Sequence, residues 1–509
     1  MVLALRRCSF MFGARSVFTV LALLGCSALA CGPEVVEGTG DGDPSSNGTS
    51  GANGTNGTNG TSGASGTSGG TSGSYEDPGS TGTSRPPPVI TSVSPLAGDY
   101  GTEVTVTGDN FDDATATLVL SGGVEPLSFA MPAQGTESKP SNVITKWSKT
   151  EIKFRYPFPA EGVVRVTSTA GQAEGGAFVP SWTPGVPLSG AFNRQPLLAV
   201  VSPAAGTTVA AFDGITGPLI VIGKPDGSIE TKAFDRGSTS ILTMSLYVTP
   251  SGTVDGFFSS GGVLWRLTDA TGSATTASTG VAAAFAAGGH DATGPYAWIK
   301  NGTTVQRVRP PGWAVDQTLT DPTPASAPGQ SIAVGPDNAL FVGWGVNETG
   351  SFPFYDHTAS AVGRRLRPGQ TAFDAVRKVG GGADDKMIWT RFRPGPDGRA
   401  AAYFCASDTG FLASATVDCQ EGYVGNGTSV PSSSQASEYV VGYNATTAVA
   451  ASCEVATAKL NLGPEGQTAQ QVSTIFPCPS AIVAVSVDPT SAGHVLVRSG
   501  KYLYAPRKR

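Results

Sequence analysis

Few residues in this chain of 509 have types and spacings that could support acid–base or metal chemistry. The three histidines, His290, His357 and His494, form neither a His-x-x-His nor a His-Glu-x-x-His pattern, so the sequence does not predict a zinc hydrolase. Adjacent carboxylates occur at Asp112-Asp113 and Asp384-Asp385. A glycosidase needs two carboxylates at a fixed distance across a cleft, whereas these pairs lie in polar or Gly-rich surroundings typical of solvated loops. We therefore predict no catalytic residue, no metal site and no cofactor.

The seven cysteines fall into two groups. Cys8, Cys26 and Cys31 lie in or beside the amino-terminal segment, and four lie in the body of the chain: Cys405, Cys419, Cys453 and Cys478. An even number of cysteines in an exported chain is typical of disulfides, and four cysteines allow three connectivities. Local pairing, Cys405 with Cys419 and Cys453 with Cys478, closes short loops. The spacings do not match those of a zinc site.

Tryptophans are the residue class best suited to binding a ligand. Trp265, Trp298, Trp344 and Trp389 lie in or just after predicted strands, where packing in the core is the commoner role. Trp313 lies in the loop sequence Pro310-Pro311-Gly312-Trp313 and is expected to be more exposed. An accessible indole can stack on a sugar ring or anchor a protein partner. We select Trp313, Trp344 and Trp389 as candidate ligand-binding residues.

Residues 1–30 have the features of an export signal. Their apolar run, Val17 to Gly25, is well short of the roughly 20 residues that a helix needs to cross a membrane. Leu23-Leu24-Gly25-Cys26 resembles a bacterial lipobox, so we expect lipidation at Cys26, with Cys31 as the alternative. An acylated cysteine would attach the protein to a membrane. The other interpretation is a secreted protein cleaved after Ala30.

Residues 31–85 are composed almost entirely of Gly, Ser, Thr, Asn and Asp, with the triplet Asn53-Gly54-Thr55 repeated twice more. Such a segment has no apolar surface to bury and is predicted to be a disordered tether. The chain carries 33 basic and 39 acidic residues, and removal of three arginines with the signal changes the net charge from -6 to 30 − 39 = -9. Without a basic cluster, nucleic-acid binding is not expected.

The elements that would position these residues are strands. Val104 and Val106 alternate with Thr105 and Thr107, the period-two pattern of a half-buried strand, and a similar pattern precedes it at Val89 to Val93. The order Ile-Thr-x-Val-x-Pro, then Gly-Thr-x-Val-Thr-Val-x-Gly, then Asn-Phe is found at Ile90 to Pro95, Gly101 to Gly108 and Asn110-Phe111.

This order resembles the IPT/TIG immunoglobulin-like family. The resemblance covers residues 86–180 and implies an antiparallel sandwich that serves as a spacer, adhesion or binding module. The sequence departs from the family in a long insert between Leu120 and Ile144, which includes the polar run Gln134 to Asn142 and is expected to form an extended loop.

Short apolar segments after Pro180 recur at a regular spacing. The markers Pro203, Pro250, Pro295, Pro336, Pro396, Tyr443 and Pro489 are separated by 47, 45, 41, 60, 47 and 46 residues. A step near 45 residues is the length of a four-stranded propeller blade. We predict a β-propeller-like domain of about seven units at residues 181–509, with an inserted loop from Gly381 to Asp385 and Arg391 to Gly398 in the 60-residue step. A run of β-sandwich modules is the alternative.

The sequence thus predicts an all-β protein of the cell envelope, either an outer-membrane or cell-surface lipoprotein or, without lipidation, a secreted protein. The first functional hypothesis is non-enzymatic binding of extracellular polysaccharide or an envelope protein. A propeller-type enzyme acting on glycans and a purely structural envelope protein are the alternatives.

Overall fold

The computed structural model describes residues 85–509, apart from residues 123–124, 133–142, 190–196, 215–216, 235–240, 322, 324–326, 350–356, 384, 396–399, 409–416, 425–435, 455–457, 465–472 and 480. The expected export signal, both candidate lipidation cysteines and the tether up to residue 84 lie outside the described residues. Every regular element in the described part is a β-strand, which confirms the all-β prediction. No helix in this part of the chain is long and apolar enough to cross a membrane.

Nine strands form a two-sheet sandwich. They are β1 (Val89–Ser94), β2 (Ala97–Gly98), β3 (Glu103–Asp109), β4 (Thr117–Leu120), β5 (Leu127–Ala130), β6 (Ile144–Trp147), β7 (Glu151–Arg155), β8 (Gly162–Ser168) and β9 (Gly171–Pro180). One sheet has the strand order β1-β3-β7-β6 and the other β2-β9-β8-β4-β5. As predicted, Val104 and Val106 in β3 are fully buried, while Thr105 and Thr107 lie on the more exposed face.

The insert between Leu120 and Ile144 is only partly as predicted. Instead of one extended loop it contains β5, whose residues Leu127–Ala130 pair with β4 and extend the second sheet. Leu127 and Phe129 alternate with Ser128 and Ala130 and pack against the core from the less exposed face of the strand. The polar run Gln134 to Asn142 lies outside the described residues.

Seven further sheets, called blades 1 to 7, follow the sandwich. Blade 1 contains β12 (Leu197–Val201), β13 (Thr208–Asp213), β14 (Pro218–Gly223) and β15 (Ile229–Ala233), and blade 2 contains β16 (Ile241–Val248), β17 (Val254–Ser260), β18 (Val263–Thr268) and β19 (Thr275–Ala282). Blade 3 contains β20 (Phe285–Asp291), β21 (Gly294–Asn301), β22 (Thr304–Arg309) and β23 (Ala314–Thr320). Blade 4 contains β24 (Ser331–Val334), β25 (Leu340–Thr349), β26 (His357–Leu366) and β27 (Arg377–Ala383).

Blade 5 contains β28 (Asp385–Pro394), β29 (Ala400–Asp408) and β30 (Val417–Val424). Blade 6 contains β31 (Ala436–Tyr443), β32 (Ala448–Glu454), β33 (Lys459–Pro464) and β34 (Ser473–Ile475). Blade 7 contains β35 (Ala481–Val487), β36 (Gly493–Ser499) and β37 (Tyr502–Tyr504), together with β11 (Leu188–Ser189). Two short strands, β10 (Trp182–Thr183) and β38 (Arg507–Lys508), pair separately.

The blades form a closed β-propeller-like ring. Strands of each blade pack against the next, for example β12 against β16 and β31 against β35, and β12 also packs against β35, so the first blade meets the last. Blade 7 is completed by β11, where Leu188 pairs with Leu503 from the other end of the ring. The alternative of separate sandwich modules is wrong, because such modules would not share one closed circuit of packed sheets.

The sequence markers lie at or beside the turn between the first two strands of their blades. Pro203, Pro250, Pro336 and Pro489 follow β12, β16, β24 and β35, while Pro295 is the second residue of β21, Tyr443 ends the first strand of blade 6, and Pro396 lies outside the described residues. The predicted inserted loop is wrong for most of its described residues, because residues 381–383 lie in β27 and Asp385 and residues 391–394 lie in β28, while residues 396–398 lie outside the described part of the chain. The 60-residue step from Pro336 to Pro396 is longer than the others in part because the strands β25 and β26 are each ten residues long.

Candidate functional site

A cleft of about 290 Å³ lies between blades 2 and 3. It is lined by β18, β19 and the turn that joins β22 to β23, through the residues Arg266, Thr268, Ala277, Ser278, Thr279, Pro310, Pro311 and Trp313. This volume is at the small end of the range for small-molecule sites, so it suits a short segment of a ligand. One wall is aromatic and apolar, and the other carries hydroxyl groups and a guanidinium.

The apolar wall is fixed by a column of aromatic rings. Trp313 packs edge-to-face on Phe257, with ring centroids 6.0 Å apart, and Phe257 stacks on Tyr247 at 5.8 Å. Gly288 makes room for the column, because a Cβ atom there would lie 2.2 Å from Phe257 Cδ2. Trp313 itself has a φ of 53°, in the left-handed region that is costly for a bulky residue. The surrounding packing therefore holds a partly buried indole in an uncommon conformation at the rim of the cleft.

The polar wall is shaped by a β-bulge. The register between β18 and β19 shifts between Val263 and Trp265, and β19 bulges around Gly280, whose φ is 74°. Within the bulge, the Thr279 hydroxyl donates to the Leu264 carbonyl at 2.8 Å and thereby fixes the strand. Bulges commonly redirect side chains beside binding sites, and this one forms the part of the wall that contains Ser278 and Thr279.

Arg266 is the charged residue of the lining, and its charge is already paired. Its Nη2 lies 3.1 Å from Asp255 Oδ2. The Asp255 side chain is only 10% exposed, and its other oxygen accepts the backbone N–H of Asp269 at 2.9 Å. The guanidinium therefore contributes hydrogen-bond donors to the cleft but little net charge.

A network of ion pairs braces the hairpin that carries Trp313. Asp316 sits at a register shift of β23 and accepts from Arg307 Nε at 2.7 Å and Arg309 Nε at 2.6 Å. Arg309 Nη2 also lies 2.6 Å from Asp291 Oδ2. Burial opposes the ionisation of Asp291, but hydrogen bonds from Arg309 and Thr293 outweigh it and lower the pKa of that carboxyl to about 2. The hairpin is thus tied to the first turn of blade 3 by fully charged groups.

The three tryptophans selected as candidate ligand-binding residues lie in different parts of the structure. Trp313 lines the cleft. Trp344 is only 5% exposed, under the Arg364 guanidinium, and is therefore a packing residue. Trp389 lies in β28 as the register partner of Cys405, and its side chain is not among the described parts of the structure. Of the three, Trp313 alone is a described lining residue of the cleft.

The four cysteines in the body of the chain form two groups that are local in sequence, as predicted. Cys453 and Cys478 form a disulfide with 5.8 Å between their Cα atoms, linking β32 to the connection between blades 6 and 7. Cys405 and Cys419 are register partners in β29 and β30. A bond between this second pair stays a prediction.

The histidines do not meet at one site. His290 lies in blade 3 beside Tyr247 of blade 2, His357 begins β26, and His494 lies in blade 7 with Nε2 2.8 Å from Asp488 Oδ2. Burial lowers the pKa of His494 despite this hydrogen bond. Asp488 also accepts the Thr490 hydroxyl and backbone N–H, so the pair fixes a turn. Among the described residues, no group of three or more His, Cys, Asp or Glu side chains could hold a metal ion.

One recurrent structural signal was missed by the sequence reasoning. In the part of the chain that the structure describes, six turns have an Asp or Asn whose side-chain oxygen accepts both the backbone N–H and the hydroxyl of the Ser or Thr two residues later. The six residues are Asp113, Asp226, Asp291, Asp321, Asn444 and Asp488. The pattern Asp/Asn-x-Ser/Thr could have been read from the sequence as an Asx turn.

The nine-strand sandwich at residues 89–180 coincides with a known family. Residues 88–178, 91 of the 509, match the family model described as IPT/TIG domain. Residues 88–178 form an IPT/TIG domain. The resemblance drawn from the motif order is thereby confirmed for this part of the chain. A search of curated proteins found no match to the sequence.

Among solved structures, the chain is similar to an auxiliary nutrient binding protein from Bacteroides thetaiotaomicron, with 12% identity, a TM-score of 0.37, and coverage of 84% of this chain and 99% of that one. It is also similar to a virginiamycin B lyase from Staphylococcus aureus, with 12% identity, a TM-score of 0.35, and coverage of 63% and 97%. A gluconolactonase from Xanthomonas campestris has 12% identity, a TM-score of 0.25, and coverage of 54% and 91%.

The IPT/TIG domain shares a hydrophobic core with blades 6 and 7, and we call this contact the junction. Phe158 lies 5.2 Å from Tyr504 between ring centroids, and its backbone N–H donates to the Phe476 carbonyl. Arg155 lies over the Phe476 ring at 5.6 Å. A Cβ atom on Gly101 would lie 2.8 Å from Phe476 Cβ, so the two backbones approach closely at this point. Apolar contacts of this kind fix the domain on the ring.

Polar contacts surround the junction. Glu125, in the insert of the IPT/TIG domain, accepts from Lys501 at 2.7 Å and from the Tyr502 hydroxyl at 2.9 Å. Arg509 donates to Glu161 near the other end of the contact. These groups are at least partly exposed, and such surface pairs contribute little free energy, so the buried aromatic contacts dominate the junction.

Proposed function

We propose that the protein binds carbohydrate at the cleft between blades 2 and 3 without transforming it. The observation that carries the proposal is the placement of Trp313, a partly buried indole that packs on Phe257 and lies across the cleft from a wall with hydroxyl groups and the Arg266 guanidinium. An aromatic ring offers an apolar face to a sugar ring, and directional donors opposite it bind sugar hydroxyls. The paired charges of the wall supply hydrogen bonds, and we assign none of them a role as acid or nucleophile.

The test measures binding of the purified chain to a panel of insoluble polysaccharides and soluble oligosaccharides. Trp313→Ala is expected to weaken binding by about 2 kcal/mol, roughly 30-fold in Kd, which is the usual cost of removing a buried aromatic anchor. The matched control is Val315→Ala, because Val315 lies on the same hairpin and is 50% exposed. Equal affinities for the wild type and Trp313→Ala would refute the proposal.

The same experiment separates the other functional hypotheses. Release of new reducing ends or unsaturated sugars would identify a glycan-acting enzyme and overturn the non-enzymatic assignment. Retention on whole envelopes, with no retention on any polysaccharide, would point to a protein partner. The carbohydrate hypothesis is preferred because the lining combines one aromatic wall with hydroxyl-bearing side chains, Thr268, Ser278 and Thr279.

We further propose that the binding site is displayed at the cell envelope through a lipid on Cys26. The motif Leu23-Leu24-Gly25-Cys26 and the Gly-rich segment after it support this placement. A Cys26→Ala variant is expected to leave the membrane fraction, and a Cys31→Ala variant is the matched control. Membrane retention of Cys26→Ala together with release of Cys31→Ala would move the anchor to Cys31.

A further inference from the structure

We infer that the carbohydrate segment bound in the cleft is uncharged. This inference rests on the proposed function and narrows its ligand class from carbohydrates in general to neutral sugars. It follows from the distribution of charge in the two blades that form the walls. A uronate or sulfated sugar needs an available cation, whereas a neutral sugar needs only donors and acceptors.

No cation in the two wall-forming blades is available to a ligand anion. Residues 241–320 contain four cations, and each has a carboxylate partner: Arg266 with Asp255, Lys300 with Asp321, Arg307 with Asp316, and Arg309 with both Asp291 and Asp316. The same residues contain four carboxylates, including Asp269, which is bound by the backbone N–H groups of Gly272 and Ser273. The walls therefore present no excess positive charge.

The pairing of Arg266 matters most, because this residue lines the cleft. A sugar carboxylate could reach the guanidinium only by displacing Asp255 or by lying beside its negative charge. Asp255 is held in place by its second hydrogen bond, from the Asp269 backbone N–H. Displacement would leave Asp255 as a buried carboxylate without its cation, which is strongly unfavourable. A neutral hydroxyl can accept a hydrogen bond from an Nη N–H group of Arg266 without breaking the pair.

The test compares gluco-, manno- and galacto-oligosaccharides with the same compounds oxidised to carboxylates at C6. For the oligosaccharide that shows Trp313-dependent binding, the neutral form is expected to bind at least about 10-fold more tightly than its uronate, since like charges near a partly buried site repel. Asp255→Asn keeps the acceptor for the Asp269 N–H and unpairs Arg266. Asp255→Asn is expected to shift the ratio of the two affinities, neutral form over uronate, by about 5-fold or more in favour of the uronate. Asp269→Asn controls for the loss of any nearby carboxylate and is expected to shift this ratio less.

The outcomes distinguish the inference from the proposed function. Trp313-dependent binding that prefers the uronate in the wild type would overturn the inference and leave carbohydrate binding in place. A preference for the neutral form that Asp255→Asn leaves unchanged would also overturn it, because the charge pair would then not set the selectivity. Absence of Trp313-dependent binding to both forms would overturn the proposed function itself.

Discussion

The substitution Phe476→Ala tests whether the IPT/TIG domain and the ring fold as one unit. Phe476 is fully buried between blades 6 and 7, and its ring also contacts the IPT/TIG domain through Arg155. Its carbonyl accepts the Phe158 N–H, a main-chain bond that the substitution leaves in place. The change therefore removes the side-chain part of the junction selectively.

The expected cost follows from the burial of this ring. Truncation of a fully buried phenylalanine to alanine costs about 3 to 5 kcal/mol, including the cavity that remains. Loss of the Arg155 contact adds about 0.5 to 1 kcal/mol. We therefore expect a total of about 3.5 to 6 kcal/mol. Because the lost contacts span the junction, much of this loss weakens the coupling between the IPT/TIG domain and the ring.

Hydrogen exchange measured by peptide across a urea series can resolve this coupling. In the wild type, strands of the IPT/TIG domain and of blades 6 and 7 should lose protection at the same urea concentration, whereas in Phe476→Ala the IPT/TIG strands should open first. Phe258→Ala, which truncates an equally buried ring in blade 2, is the control and should lower stability without this separation. A free-energy change below about 1 kcal/mol for Phe476→Ala, or coincident opening in that variant, would refute the shared-core argument.

Three further predictions concern the disulfide, the brace and the aromatic column. Cys453→Ser should lower the free energy of unfolding by about 3 to 4 kcal/mol, because the disulfide joins residues 25 positions apart in the chain. Thermal unfolding measures this change, and a loss below about 1 kcal/mol would contradict the prediction. Because the pKa of Asp291 is about 2 in the folded chain, the stability that this ionised carboxylate contributes is present above about pH 4 and is lost as pH falls toward 2. Asp291→Asn should therefore remove about 1 to 2 kcal/mol of the loss of folding stability between those pH values. An unchanged pH profile of stability in the variant would be inconsistent with the ion-pair network around Arg309. Gly288→Ala should displace Phe257 and weaken carbohydrate binding, as measured by titration. Gly312→Ala should leave binding unchanged, because a Cβ atom at Gly312 would meet open space. Equal effects of the two substitutions would count against the role of the Trp313–Phe257–Tyr247 column in fixing the cleft.

The sequence predicted those parts of the fold whose signals are local. The alternation of Val104 and Val106 with threonines identified the sandwich, and its motif order identified the family. Prolines such as Pro203 and Pro250 marked the turns between the first two strands of successive blades. In each case the determining residues lie within a few positions of one another, so one segment is enough to make the prediction.

The parts that were missed depend on register or on distant residues. Blade 7 needs β11 to pair with β37, more than 300 residues later, and no local pattern indicates that closure. The loop position of Trp313 predicted its greater exposure relative to Trp344, but the cleft that Trp313 lines could not be predicted, because that cleft forms between two sheets. The pair formed by Arg266 and Asp255 joins adjacent strands, and only the register of the sheet shows that their charges cancel.

The cleft and the junction should act independently. Blades 2 and 3 are separated from blades 6 and 7 by blade 1 on one side of the ring and by blades 4 and 5 on the other, so Trp313 and Phe476 share no contact partner among the interactions described. Substitutions at distant sites without common partners combine additively within about 0.5 kcal/mol. In a double-mutant cycle, Trp313→Ala should therefore reduce carbohydrate affinity equally with and without Phe476→Ala, as measured by titration calorimetry below the unfolding range. A coupling energy above about 1 kcal/mol would instead mean that docking of the IPT/TIG domain tunes the cleft through the ring.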